Sequence, residues 1–145
     1  MLRSERGQNL IELALVMPLL ILLLTGIADL GRAFYSYIQI TNAAREGARA
    51  ASRLPCDAGD AAQRAVYANR IVQSTRNEVD GAVVAPGDLT IAISPRPVED
   101  GCQTAGQPIV VTVSYPYATI LSSGSGIASF TMSSSTAMPS VGKSP

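Results

Sequence analysis

The chain has 145 residues, 11 basic and 11 acidic, so it carries no net formal charge and has room for one modest domain plus a membrane segment. Its charges are dispersed, which leaves no electrostatic footprint for nucleic acid. Histidine is absent, two cysteines alone cannot build a structural zinc site, and the single lysine, Lys143, lies in a tail that would not hold it for a Ser-Lys dyad; we therefore expect no catalytic residue, metal, cofactor or small-molecule substrate.

The first element is the run "ERGQNLIELALVMPLLILLLTG", Glu5 to Gly26. Leu13 to Ala28 gives 16 consecutive uncharged residues, and with Leu10 and Ile11 the stretch reaches the roughly 17 to 25 that span a bilayer. A transmembrane segment over about 10–28 is predicted. Arg3 and Arg6 precede it, so the positive-inside rule keeps the N-terminus in the cytoplasm and sends the C-terminal bulk outside. Asp29 and Arg32 mark the far boundary. The rival is a cleaved secretory signal, whose apolar core is shorter and ends in a small-residue exit; here the helical pattern continues instead. Pro18 deprives the Ala14 carbonyl of its N–H partner, a defect tolerated in membrane helices when neighbours satisfy the carbonyl.

Beyond the boundary, Phe34, Tyr37, Ile38, Thr41, Ala44, Ala48 and Ala51 recur at three- and four-residue steps, predicting one apolar face of a helix that continues to Leu54. A helix over 8–54 would be about 70 Å long, against a bilayer core of about 30 Å, so residues 29–54 must stand in water as a stalk. Two ridges of small residues run along it: Ala43, Gly47 and Ala51, and beside them Ala44, Ala48 and Ser52. They would let another backbone or a sheet approach closely, although alanine is also simply the best helix former. Gly47 is harder to assign to propensity, because glycine costs about 1 kcal/mol against alanine inside a helix. Arg45, Arg49 and Arg53 form a like-charged stripe, relieved in part by Glu46 and read as a solvated face or an acidic partner's contact.

Residues 55–138 read as an exported head. Asp60 with Gln63 resembles a capping box opening a second helix, with Ala61, Ala65, Ala68, Val72 and Val79 as its apolar side. The period then changes to two in Leu89–Ser94, Ile109–Tyr115 and Ile127–Met138, predicting three strands. The expected fold class is α+β: a long transmembrane-plus-stalk helix, a shorter helix and a small antiparallel sheet. Cys56 follows the long helix and Cys102 lies between the first two strands. Outside the membrane the compartment is oxidising, so we expect a disulfide worth about 4 kcal/mol, the alternative being two unpaired thiols. "SSGSG", 122–126, reads as a flexible loop, and residues 139–145 as a flexible tail.

Glu12 sits just inside the apolar run, where an unpaired carboxylate costs several kcal/mol and calls for a partner. A cut after Gly7 would create an amino group on Gln8, one helical turn away on the same face, and at 4 Å such a pair attracts by about 4 kcal/mol before desolvation. The amine of a neighbouring chain could serve equally. The structural alternatives are a plain glycine before a helix and an interfacial carboxylate reaching back to the headgroups.

"RGQNLIELALVMPLLILLLTGIADLGRAFYSYIQITNAAREGARAAS", Arg6 to Ser52, resembles the signature region of the TadE-like family, pseudopilins of the bacterial Tad (Flp-type tight adherence) pilus machinery. The resemblance implies a short cytoplasmic leader, residues 1–7, removed by a prepilin peptidase between Gly7 and Gln8, with Glu12 serving processing or assembly. It also implies membrane lipid and other pilin and pseudopilin subunits as partners, in the bacterial cytoplasmic membrane or an extracellular pilus. Gln8 replaces the phenylalanine common at the mature end of typical type IV pilins, which puts N-methylation there in doubt. The alternative function is a permanently anchored exported binding module that never assembles.

Overall fold

The computed structural model describes residues 4–56, 59–120 and 129–141. Leader residues 1–3, the "SSGSG" loop, the first two residues of the third predicted strand and the tail from 142, with Lys143, lie outside them. The elements in order are helix α1 (Ser4–Arg53), helix α2 (Ala61–Asn77), a 3-10 turn (Pro86–Asp88), and strands β1 (Thr90–Ser94), β2 (Pro108–Ala118) and β3 (Ser129–Pro139). This is the α+β fold that the periodicities predict.

α1 is one unbroken helix of 50 residues, continuous through Pro18 and about 75 Å long at 1.5 Å per residue. It begins at Ser4, earlier than the predicted Gln8, so the Gly7–Gln8 bond lies within helix. Its N-terminal half stands alone and its C-terminal half forms one wall of the head. The sheet has strand order β1-β2-β3 and is antiparallel throughout. β2 runs past the predicted Tyr115 to Ala118, through Pro116. A proline is normally excluded from a central strand, but β1 pairs with β2 only over Val110–Ser114. Beyond that point β2 has β3 alone as neighbour, and Pro116 loses no ladder bond to the missing side.

The inner sheet face presents Ile93 from β1 and Ile109, Val111 and Val113 from β2 to both helices. α1 contributes Ile40, Ala43, Ala44, Ala48 and Ala51, all fully buried. Its buried face is the predicted one only in the C-terminal part: Ala44, Ala48 and Ala51 are buried as predicted, whereas Phe34, Tyr37 and Ile38 are exposed, and Ser36 and Gln39 are inside. The reason is steric, because a helix lying close on a sheet needs small residues at the contact, and the aromatic positions point elsewhere. On α2 Tyr67, Ile71 and Thr75 are buried at i, i+4 and i+8; of the predicted side Ala68 and Val72 pack half-buried against the core and Val79, past the helix end, is buried, while Ala61 is exposed. Asp60 caps α2 as expected, its carboxylate accepting from Ala62 N at 2.8 Å.

The C-terminus of α1 is closed by the rest of the chain. Its last carbonyls lack intrahelical partners, and for Ala51 the residue four ahead is Pro55, which has no N–H. The Tyr67 hydroxyl donates to the Ala51 carbonyl at 2.8 Å instead, and Val141 N donates to the Ser52 carbonyl at 3.2 Å. The tail expected from 139 is thus still tied at Ser140 and Val141, Ser140 N donating to the Gln107 carbonyl at 2.8 Å. Burial pushes the Tyr67 phenol up to about 12. The folded state holds that proton more tightly than the unfolded chain, so this contribution is complete below about pH 10 and disappears as pH rises through the folded value. Tyr67→Phe should cost about 1 kcal/mol by orphaning the carbonyl, and should flatten the alkaline limb of a stability-against-pH curve.

Candidate functional site

Two regions outside the core carry unsatisfied demands. The first is the N-terminal half of α1. Thirteen large apolar residues between Leu10 and Ile27 are exposed, with Leu10 at 67% and Leu15 at 75%. Left in water, so much apolar surface forgoes roughly 20 kcal/mol or more of transfer free energy, so this helix needs lipid or other helices around it. By length and composition it is able to cross a membrane. Thr25, the polar residue near its far end, satisfies its hydroxyl by donating to the Ile21 carbonyl at 2.8 Å.

Gly7, Gln8 and Glu12 all lie on this exposed segment, and a Cβ at Gly7 would meet nothing within 4 Å. Gly7, Gln8, Ile11, Glu12 and Leu15 line one shallow groove along the helix. The Gly7–Gln8 bond lies at the end of the first turn of α1, and its Gln8 amide has the Ser4 carbonyl four residues back in the helix.

The second region is the level at which α1 leaves its uncharged run. Asp29 is buried, and both of its carboxylate oxygens lie 2.9 Å from the Ile120 amide, just past β2. The Tyr117 hydroxyl donates to the Asp29 carbonyl at 2.9 Å. Arg32 lies 3.6 Å from Asp29 and 5.9 Å from the centre of the Tyr117 ring, which packs on Phe130 at 5.4 Å. Sequence reasoning takes Asp29 and Arg32 as a boundary marker only. The one available signal was that Asp29 is the first charge after the apolar run; its partners are some 90 residues away and no local pattern announces them.

A third contact fixes the stalk against the loop after α2. The Tyr35 hydroxyl donates to Asp80 at 2.6 Å, and this bond, with Gln39 and the Ala82 amide, holds the Asp80 carboxyl down to about 2. The remaining predicted residues are structural in position. Cys56 and Cys102 form a disulfide, joining the end of α1 to the loop between β1 and β2. Ala43, Gly47 and Ala51 face the chain's own core, where a Cβ on Gly47 would overlap Thr75 Oγ1 and come within 3.0 Å of Val111 Cγ1. That ridge is occupied by the head itself. Among the described residues, Asp, Glu and Cys side chains do not gather in groups of three that could hold a metal.

The long helix from its exposed N-terminal groove into the stalk coincides with a known family. The family model described as TadE-like protein matches residues 7–49. Over this stretch the chain is similar to TadE-like proteins. Comparison with curated proteins and with solved structures returns no match. The TadE-like match begins at Gly7 and ends within the stalk, so it covers the exposed apolar half and most of the buried small-residue ridge, and leaves α2 and the sheet outside it. The TadE-like family is one of structural pilus components rather than enzymes, and the match suggests a Tad-pilus-related protein.

Proposed function

We propose that this TadE-like chain is a pseudopilin, a minor pilin held by one pass in the bacterial cytoplasmic membrane that acts structurally in assembling a Tad/Flp-type pilus. The observation that carries the reading is the TadE-like match to a helix whose apolar half has no intramolecular partner. The N-terminus lies in the cytoplasm and the disulfide-tied head outside. A prepilin peptidase cuts between Gly7 and Gln8, and the new amine lies one turn from Glu12, on its own or a neighbouring helix.

Assembly exchanges lipid contact for helix contact. Because Ala43, Gly47 and Ala51 already pack on the chain's own head, the surfaces left for sister subunits are the apolar half of α1 and the exposed Phe34, Tyr37 and Ile38. Glu12 sets the axial register: an unpaired carboxylate among apolar side chains is satisfied only when an amine is at its level.

Mass spectrometry of membrane fractions from cells with and without the peptidase tests the cut. The expected mature N-terminus is Gln8 with the enzyme and the intact leader without it; an intact leader in both excludes processing. Glu12→Ala should abolish pilus output while leaving the head folded, and unchanged output removes Glu12 from the mechanism.

A further inference from the structure

We propose that the base of the head is a membrane-resting foot, in which Ile120 and Phe130 enter the phospholipid headgroup layer and Arg32 pairs with lipid phosphate. The inference rests on the anchoring reading above and adds a second, non-helical lipid contact to it.

The argument is one of level. Asp29 is the first residue after the uncharged run, so the edge of the hydrocarbon lies at Ala28 or Asp29. The headgroup layer on each side is about 5 to 7 Å deep, which at 1.5 Å per residue covers about four or five residues of α1, from Asp29 to about Ala33. The head is tied to this stretch and not higher up. Ile120 N bonds the Asp29 carboxylate, Tyr117 bonds the Asp29 carbonyl, and Phe130 packs on Tyr117. The end of β2 and the start of β3 are thereby held at the depth of the lipid headgroups.

What that end exposes fits such a layer. Phe130 is 47% exposed and Ile120 44%, two apolar side chains at the end of the head tied to Asp29. Apolar side chains at this depth gain by leaving water for the boundary between headgroups and acyl chains. Arg32 keeps 45% of its side chain exposed beside them. Its five N–H donors exceed what one 3.6 Å pairing with Asp29 consumes, and the remainder suit a phosphate. The occupant is lipid and not a sister chain, because the spanning helix that bears Asp29 places the bilayer surface there before any subunit arrives. Asp29 is then a latch holding the head upright on the membrane.

The chain contains no tryptophan, so single tryptophans report one site each. The full chain carrying Phe130→Trp, and separately Ile120→Trp, is reconstituted at low protein density in phosphatidylcholine/phosphatidylglycerol vesicles with brominated acyl chains. Leu22→Trp in the span and Val98→Trp in the loop between β1 and β2 serve as references. Both foot probes should be blue-shifted and lose fluorescence to bromine to a degree between Leu22→Trp, strongly quenched, and Val98→Trp, unquenched. If Leu22→Trp is quenched while both foot probes behave as Val98→Trp, the foot is overturned and the anchor stands. If Leu22→Trp is also unquenched, the anchor and the foot fall together. Foot probes that stay unquenched at low protein density and shift to the blue only as density rises, with Leu22→Trp quenched throughout, would identify a neighbouring chain as the occupant and overturn the lipid assignment.

Discussion

Replacing Cys56 and Cys102 together by alanine should lower the stability of the head by about 4 kcal/mol, the largest effect expected of any change outside the membrane segment. The bridge joins positions 46 residues apart, and closing a loop of that size in the unfolded chain removes conformational entropy of this order. It matters more here than in a larger domain, because the core is confined to one wall of α1, α2 and three strands, and a core of that size supplies few kcal/mol of net stability. Cys56 is itself buried in the core, with Cys102 packed against it, so the substitution also removes buried sulfur. Urea titration of the full chain in detergent, followed by near-ultraviolet circular dichroism of the head tyrosines, reads the loss. Reduction of the wild-type chain should reproduce it. A shift below about 1 kcal/mol would mean that the Tyr67 and Val141 contacts to the end of α1 already hold that corner without the bridge.

That corner also marks what could be read from residue order. The uninterrupted helical pattern from the apolar run into the stalk was legible because no proline or turn cluster intervenes before Pro55, and Pro18 lies where a missing hydrogen bond is tolerated. The strands were legible because their alternation is strict over Ile109, Val111 and Val113. Which faces of the helices turn inward was legible only in part: the small-residue ridges of α1 do meet the head, but the large apolar residues pointed elsewhere. Periodicity counts apolar residues, and on α1 the large ones at Phe34, Tyr37 and Ile38 outweigh the alanines and glycine that the sheet requires. On α2 the same bias favours a row of alanines over Tyr67, Ile71 and Thr75, of which threonine does not register as apolar at all.

The Asp29 latch was hidden for a different reason. A hydrogen bond between positions 29 and 120 depends on how the whole sheet is laid along the helix, and composition near Asp29 is equally compatible with a plain boundary charge. Gly7, Gln8 and Glu12 stand at the opposite extreme. Their spacing is visible in the sequence, while the fold adds only exposure and a helical backbone.

Gly47→Ala should destabilise the head by about 2 kcal/mol, although alanine is the better helix former by about 1 kcal/mol. The two effects oppose each other, and the contact geometry decides between them. A methyl group at position 47 would overlap Thr75 Oγ1 and press on Val111 Cγ1 at 3.0 Å. Neither neighbour yields cheaply: Val111 is fully buried in the central strand, and Thr75 is fully buried with its hydroxyl donating to the Ile71 carbonyl at 2.8 Å. Turning the threonine aside would break that bond inside the core, and moving α2 outward would open gaps around Ile71 and Tyr67. Overpacking of this kind costs about 1 to 3 kcal/mol, and two stiff neighbours place it at the upper end. Gly26→Ala and Gly31→Ala are the controls, because a Cβ at either meets nothing within 4 Å and only the propensity gain remains. Truncating the obstacle supplies the decisive comparison: the Gly47→Ala/Thr75→Ala double variant should be more stable than the sum of its single changes by about 1 to 2 kcal/mol, measured by denaturant unfolding. If Gly47→Ala instead raises stability as the exposed controls do, α1 does not lie within glycine distance of α2 and the sheet, and the ridge through Ala43, Gly47 and Ala51 would be free for a neighbouring subunit after all.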